Sequence, residues 1–167
     1  MPNSTPTASS FIFQDLSEFT KAKIPALPSK KVFQNWVTIT LEKALAQNKK
    51  LHITLLSIKD MIELNQSFRN KNYPTNVLSF PLAQPQDFPA VHQEADFLGD
   101  IFICPSIVLQ ESEEQNKRFD HHMAHMTIHG TLHLLGYDHE KSPEEATKME
   151  RLEIKILAEF KIPNPYD

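Results

Sequence analysis

The sequence predicts one domain of mixed class, α+β or α/β, because segments with strand patterning and segments with helix patterning follow each other along the chain. Four segments have strand character: 11–16, 51–58, 76–81 and 100–104. Three longer segments have helix character: 29–47, 120–135 and the stretch that follows Ser142. A chain of 167 residues is long enough to bury one core, and no internal repeat indicates a second domain.

The first half of the domain is predicted to begin with a strand and a long helix. Residues 11–16, FIFQDL, have the composition of a strand, and the segment from Ser29 to Gln47 has the apolar period of a helix. Its apolar stripe consists of Val32, Phe33, Trp36, Val37, Thr40, Leu41, Ala44 and Leu45. Residues 51–58, LHITLLSI, predict a buried strand. Asp60 can then cap a short helix that ends at Phe68.

The middle of the chain alternates strands with one long connection. Residues 76–81 predict a strand that Pro81 ends, and residues 100–104 predict another. Between them, residues 82–98 hold two prolines and several acidic residues, which predicts a long functional loop. Pro105 is placed to begin the next helix.

Two helices are predicted to complete the domain. The first extends from about Asp120 to Leu135 and carries most of the histidines of the chain. The second begins at Ser142-Pro143-Glu144-Glu145, where serine can act as the N-cap, proline can occupy the first helical position and the second glutamate completes a capping box.

Composition excludes several classes of protein. A net charge of −4 argues against a broad basic surface that coats nucleic acid, and three glycines cannot form a glycine-rich phosphate loop. The single cysteine, Cys104, permits no internal disulfide. Residues 1–10, MPNSTPTASS, are expected to be a disordered tail before a domain at 11–167, and they do not resemble a signal peptide. No apolar segment predicts a membrane span, so we expect a cytoplasmic protein with no membrane partner.

The segment HGTLHLLGYDH, residues 129–139, predicts a metal site. His129 and His133 are four residues apart, so on a helix they lie on one face about 6 Å apart along the axis. Gly136 stands where a helix end favours a left-handed residue, and the reversed chain can then bring His139 back to the same point. Three neutral imidazoles with one open position are typical of a catalytic zinc site.

Two further histidines, His122 and His125, precede this segment on the same helix face. His125 and His133 are roughly 12 Å apart along a helix axis, which is too far for both to bind one ion. We therefore expect His122 and His125 to be helix-face residues near the site and not ligands.

The spacing of the three histidines equals that of metzincin peptidases, in which a glutamate after the first histidine is the general base. Here that position is Gly130, so the peptidase interpretation lacks its base. A more informative segment is LNQSFRNKNYPTNVLSFP, residues 64–81, which is cationic and rich in amides and aromatics. Such a segment suits contact with phosphates and stacking on bases, and Lys71, Tyr73 and Asn76 are its candidate contact residues.

Three segments together resemble the YbeY family of bacterial metal-dependent endoribonucleases: LNQSFRNKNYPTNVLSFP, GDIFIC at 99–104 and HMTIHGTLHLLGYDH at 125–139. The matching segments are spread from about residue 30 to 160. The resemblance implies an α+β fold with a small mixed sheet packed by helices, and one zinc ion held by His129, His133 and His139, although other divalent metals are possible. It also implies that the essential arginine of the family is Arg69.

The resemblance further implies hydrolysis of single-stranded RNA, maturation of small-subunit (16S) ribosomal RNA, and ribosome quality control. Expected partners are ribosomal RNA, the small ribosomal subunit and its assembly factors, and not DNA. We expect Arg69 and His129 to be catalytic, with the metal polarising a water or a phosphate oxygen while Arg69 stabilises the phosphoryl charge.

Asp100 and Asp138 are candidates for a general base or for a carboxylate that orients a ligand imidazole, and the sequence does not decide between these roles. Two alternative functions stay open: a metzincin-like metalloprotease, and a non-catalytic ribosome-assembly factor whose zinc is structural. A structural zinc usually has four protein ligands, so a fourth ligating side chain would favour the assembly factor.

Overall fold

The computed structural model describes residues 11–15, 27–82 and 96–167, with the backbone alone for residues 11–15. The predicted tail at 1–10 and most of the predicted loop at 82–98 lie outside the described residues. The described elements are β1 (Phe11–Asp15), α1 (Lys30–Lys43), β2 (Lys50–Leu55), α2 (Ile58–Arg69), β3 (Val77–Pro81), β4 (Phe97–Ile103), α3 (Pro105–Glu114), α4 (Phe119–Leu134) and α5 (Pro143–Glu159).

The four strands form one mixed sheet in the order β1-β2-β4-β3. Strands β1, β2 and β4 are parallel, and β3 is antiparallel to β4. In the middle of the sheet Ile53 is paired with Ile101, and Ile101 with Ser79. Parallel neighbours require a crossover, which α1 supplies between β1 and β2. The α+β class with a small mixed sheet is therefore confirmed.

Helix α4 is the central helix of the fold and packs on the sheet, on α1, on α3 and on α5. Its buried residues include Met123, Ile128 and Leu132, which are fully buried. Gly130 permits the close approach of α4 to the sheet, because a Cβ there would lie 3.1 Å from both Ile101 Cγ2 and Ser79 Oγ. Ser79 Oγ also donates to the Gly130 carbonyl oxygen at 3.1 Å. The histidine-bearing helix is thus fixed by its neighbours on several sides.

Several element boundaries differ from the predicted ones. Strand β2 ends at Leu55 and not at Ile58, which is the first residue of helix α2. Helix α2 begins at Ile58 and not at Asp60, because Ser57 is its N-cap and accepts from the Asp60 N–H at 3.1 Å. Helix α1 ends at Lys43, where Leu45 adopts a φ of 59° and the Ala46 N–H bonds to the Leu41 carbonyl. Strand β4 begins at Phe97 and therefore includes the end of the predicted loop.

The predicted N-cap at Ser142 is confirmed, since its side chain accepts from the Glu145 N–H at 3.1 Å. Cys104 is fully buried beside Leu78 and Met61, as a core residue. Within the described part of the chain, no helix combines the length and the apolar character needed to cross a membrane.

Candidate metal centre

Two histidines of α4 form the helical half of the site. His129 and His133 lie one turn apart, with ring centroids 4.6 Å from each other. Their Nε2 atoms approach to 3.1 Å, so both rings direct the same nitrogen to one point. This is the geometry that a four-residue separation on one helix face predicts.

The end of α4 brings the third histidine to the same point. Gly136 has a φ of +98°, and its N–H bonds to the His133 carbonyl while the Tyr137 N–H bonds to the Leu132 carbonyl. These two bonds form a Schellman motif, as predicted for a glycine at this position. The reversed chain places the His139 ring 5.1 Å from that of His129 and 5.0 Å from that of His133.

The three histidines fit a metal ion. One nitrogen from each of His129, His133 and His139 lies within 4.8 Å of the other two. Tetrahedral coordination with bonds of about 2.0–2.1 Å separates ligand nitrogens by about 3.3 Å, which requires only a small adjustment here. Burial lowers the pKa of His133, as does repulsion from His129 and His139, so the neutral imidazole that a metal requires is favoured.

A buried carboxylate on α5 orients the first ligand. Glu153 is 1 % exposed, and its Oε2 lies 3.0 Å from His129 Nδ1 and 2.9 Å from His125 Nε2, while Tyr166 donates to its Oε1 at 2.6 Å. Burial alone would raise the pKa of Glu153, but the hydrogen bonds from His125 and His129 outweigh it and lower this pKa to about 2. An ionised carboxylate only accepts, so His129 carries its proton on Nδ1 and leaves Nε2 free for a metal.

No motif in the sequence predicted a role for Glu153 or Tyr166 at the site. A signal for Glu153 was present, because this acidic residue stands four residues after Met149 and four before Leu157, on the buried face of the last helix. A charged residue at such a position is rarely fully buried without a partner. Tyr166 gave no comparable signal, since it lies beyond the last helix in the carboxyl-terminal segment.

The two remaining histidines of this helix face have other partners. His122 Nε2 lies 2.9 Å from Glu111 Oε1, and His125 bonds to Glu153. His125, His129 and Glu153 also lie close enough to hold a metal by distance alone. The hydrogen bonds of Glu153 to both imidazoles account for that proximity.

The three-histidine cluster opens into a cleft of about 640 Å³. Arg69, in the last turn of α2, lines this cleft together with Ser79 of β3 and the turn at 136–141. The structure therefore brings Arg69 and the three histidines to one cavity. The cleft combines metal ligands with a guanidinium group, which suits an anionic, phosphate-containing substrate.

Comparison with known proteins identifies the family of the chain. The family model described as "Endoribonuclease YbeY" matches residues 16–161. The chain belongs to the YbeY family. This membership confirms the resemblance seen in the sequence, and it places the protein in a family of enzymes that hydrolyse RNA.

Individual relatives support the same conclusion. A protein of Idiomarina loihiensis named Endoribonuclease YbeY is 43 % identical over 145 residues, which cover 86 % of this chain and 85 % of the relative. A protein of the same name from Xanthomonas campestris pv. campestris is 45 % identical over 140 residues, covering 84 % and 85 %. The solution structure of TM1509 from Thermotoga maritima superimposes with a TM-score of 0.56 at 28 % identity, covering 90 % of this chain and 91 % of that one.

Not every expected site residue of this YbeY-family chain reaches the cleft. Asp100 Oδ1 lies 3.2 Å from His52 Nδ1, because the register of β2 with β4 pairs these two residues. Asp100 is therefore not brought to the ligands. Asp138 lines the cleft, and its Oδ1 accepts from the Glu140 N–H at 2.8 Å, which stabilises the turn that carries His139.

The three expected RNA contacts differ in their surroundings. Lys71 and Tyr73 are exposed just beyond α2, and Asn65 donates to the Tyr73 carbonyl at 2.7 Å. Asn76 lines the cleft, but its amide donates to Glu111 at 3.0 Å and its amide oxygen accepts from the Val77 N–H. The Asn76 side chain is thus already paired at both ends within the protein.

The residue after the first ligand, Gly130, faces the sheet. A Cβ at this position would meet side chains of Ile101, Ser79 and Val77 at 3.1 to 3.3 Å. A glutamate here would begin its side chain against strands β3 and β4. The general base that metzincin peptidases use is therefore absent, and a side chain at position 130 would be tightly packed against the sheet.

Proposed function

We propose that the protein is a metal-dependent endoribonuclease that cleaves single-stranded RNA in the cytoplasm, in the maturation of small-subunit (16S) ribosomal RNA and in ribosome quality control. The observation that carries this proposal is the single cleft that holds both the three-histidine cluster and Arg69. Its partners would be ribosomal RNA, the small ribosomal subunit and its assembly factors, and neither a membrane nor DNA.

The metal that we propose is one zinc ion, held by His129, His133 and His139. Three imidazoles suit zinc, and an open fourth position is typical of its catalytic sites. When bound, zinc would supply Lewis-acid polarisation of a water or of a phosphate oxygen. Other divalent metals that accept imidazole ligands stay possible.

The protein residues prepare the site before any substrate binds. Glu153 holds the Nδ1 proton of His129 and so sets both the tautomer and the orientation of that ring. Tyr166 and His125 hold Glu153 in turn. Arg69 faces the same cleft, where its guanidinium can bind a phosphate through two parallel hydrogen bonds and stabilise charge that develops during cleavage.

Contacts with the bases and the backbone would extend from Arg69 along the exposed residues that follow α2. Lys71 can bind a neighbouring phosphate, and the exposed Tyr73 ring can stack on a base. Asn76 would support the floor of the cleft through its bonds to Glu111 and Val77.

The two alternative functions are less well supported. A metzincin-like metalloprotease needs a base after His129, and Gly130 faces the sheet. A non-catalytic assembly factor with a structural zinc needs a fourth protein ligand. Among the described residues, no further His, Cys, Asp or Glu joins the group formed by His129, His133 and His139.

The proposal is tested by incubating the purified protein with a single-stranded fragment of 16S ribosomal RNA, the same fragment annealed to its complement, a DNA of the same sequence, and casein. We expect cleavage of the single-stranded RNA alone, lost on chelation and restored by zinc. Chelator-sensitive cleavage of casein without cleavage of RNA would instead support the metalloprotease. A protein that binds zinc and cleaves none of these substrates would support the assembly factor.

A further inference from the structure

A second groove extends along helix α5, next to the metal cleft. It is open to solvent and has a volume of about 690 Å³, and Tyr137, Pro143 and Leu152 form part of its wall. Three basic side chains also line it: Lys148, Arg151 and Lys155. The groove thus combines apolar and aromatic surface with positive charge.

The charge of this groove contrasts with the rest of the chain. The protein carries a net charge of −4, yet the groove has three basic side chains against one acidic side chain, Glu144. All three basic residues are exposed, and none of them has an ion pair with a described residue. Arg151 and Lys155 are four residues apart on a helix, where like charges destabilise the helix. An anionic ligand would relieve this repulsion.

The groove and the cleft that holds the three histidines share one lining residue, Tyr137. This residue lines both cavities, and it stands in the turn between Gly136 and His139. Lys148 Nζ lies 5.8 Å from the centre of the Tyr137 ring, so a cation is already associated with the aromatic surface at the junction. A strand that passes from the cleft over Tyr137 would meet this aromatic ring first and then the cations of α5. Base stacking and phosphate contact require these two features in that combination.

We propose that the α5 groove binds the single-stranded RNA that flanks the cleavage point, with Tyr137 stacking on a base and Lys148, Arg151 and Lys155 contacting successive phosphates. This inference rests on the proposed function, since it assigns a second binding segment to the same substrate. The affinity of a long RNA then depends on both the cleft and the groove. A short RNA that occupies the cleft alone is independent of the groove.

The test compares Lys148→Gln/Arg151→Gln/Lys155→Gln with a control that loses three exposed cations elsewhere, Lys30→Gln/Lys31→Gln/Lys59→Gln. Zinc-loaded full-length proteins are titrated with fluorescein-labelled RNA of 4 and of 16 nucleotides, and anisotropy is read in the cold before cleavage is measurable. Circular dichroism verifies that both variants are folded. The single variant Arg151→Gln, at the middle of the row, provides a milder second test.

For the 16-nucleotide RNA we expect the groove variant to raise Kd at least tenfold at 0.1 M salt. The slope of log K against log salt should become shallower by about 2 for this variant. Each phosphate contact with a single strand contributes about 0.7 to the slope, and the variant loses three such contacts. The 4-nucleotide RNA should bind both proteins equally, and the control variant should behave as the wild type. Arg151→Gln should show a smaller change in the same direction.

Equal affinity of the wild type and the groove variant for the 16-nucleotide RNA would overturn the inference, and an acidic protein surface would then become the better occupant. An equal loss of affinity of the groove variant for the 4- and the 16-nucleotide RNA would also overturn the inference, because the effect would then arise in the cleft. The nuclease proposal fails separately, if the wild type binds RNA but never cleaves it. The affinity comparison still tests the groove in that case.

Discussion

Glu153 of α5 accepts a hydrogen bond from His129 of α4, with Glu153 Oε2 3.0 Å from His129 Nδ1. Through this bond the packing of two helices sets the tautomer of His129, one of the three histidines that could hold a metal. Tyr166 extends the connection to the carboxyl-terminal segment, where its hydroxyl donates to the other oxygen of Glu153 at 2.6 Å. Partial burial of the phenol raises the pKa of Tyr166, as does its hydrogen bond to Glu153, so this hydroxyl stays a donor.

Replacing Glu153 tests this connection. Glu153→Gln removes the negative charge that orients His129, and loss of such a carboxylate partner typically weakens metal affinity by about 10- to 100-fold. Zinc affinity is measured by competition with a chromophoric chelator, which does not depend on nuclease activity. Glu150→Gln on the same helix is the control and should bind zinc as the wild type does. An unchanged zinc affinity in Glu153→Gln would show that the carboxylate does not position the ligand.

Substitution of Arg69 tests the cleavage step separately from metal binding. Its side chain is exposed at the cleft and none of the three metal ligands bonds to it among the described contacts, so Arg69→Gln should leave the fold and the zinc content unchanged. Loss of a group that stabilises developing charge typically lowers kcat by about 10²–10³-fold. Single-turnover RNA cleavage and zinc content are measured on the same preparation. Cleavage at the wild-type rate would exclude Arg69 from the reaction.

Substitution of Gly130 tests how closely α4 must approach the sheet. In Gly130→Ala the new methyl group meets the fully buried, β-branched Ile101 at 3.1 Å. Overpacking costs about 1–3 kcal/mol, and the gain in helix propensity offsets up to about 1 kcal/mol of it. We expect a net loss of about 1 kcal/mol in the free energy of unfolding, measured with urea. A variant more stable than the wild type would show that Ile101 can move to accept the methyl group at little cost in free energy.

Glu111 gives the protein a pH-dependent contribution to stability that is separate from the metal ligands. Burial alone would raise its pKa, but hydrogen bonds from His122 and Asn76 lower it below the ordinary value of 4.5. A carboxylate whose pKa is lower in the folded than in the unfolded protein stabilises the fold at pH values above its unfolded-state pKa. This stabilisation is lost as the pH falls through the folded-state pKa. Glu111→Gln should therefore be less stable than the wild type at pH 7, by about 1–3 kcal/mol.

The difference in stability between Glu111→Gln and the wild type should narrow as the pH falls below about 4.5, since the wild-type carboxylate becomes protonated. Urea unfolding at pH 7 and at pH 3 measures both values. Glu113→Gln, an exposed residue on the same helix, is the control and should show little difference from the wild type at either pH. If the difference in unfolding free energy between Glu111→Gln and the wild type is the same at both pH values, the ionised carboxylate of Glu111 does not stabilise the fold.

Local signals were sufficient to predict that the three histidines of the candidate metal centre lie together. The separation of His129 from His133 and the glycine at 136 act within one helix and its cap, so the sequence alone predicted that three histidines converge. Helix boundaries were less predictable, because the end of α1 depends on Leu45 adopting a left-handed conformation that side chains rarely favour. No glycine marks that turn.

The partners of the site residues required the tertiary structure. Which acidic residue meets His129 is decided by how α5 packs against α4, and the two residues are 24 positions apart. Asp100 is a strand residue whose neighbour is fixed by the register of β2 with β4, and that register pairs it with His52. Sequence patterns predict the face of an element, and sheet register and helix packing determine what each face meets.

We propose that His129, His133 and His139 hold the metal on which RNA cleavage depends. The most direct test measures zinc content and cleavage of single-stranded ribosomal RNA on the same preparations of wild type, His139→Ala and His121→Ala, a control on α4 outside the cluster. We predict that His139→Ala, which removes an exposed ligand at the end of a turn, loses zinc and cleavage together, while His121→Ala retains both. Cleavage that persists in a zinc-free His139→Ala would show that the reaction does not depend on a metal held by these histidines.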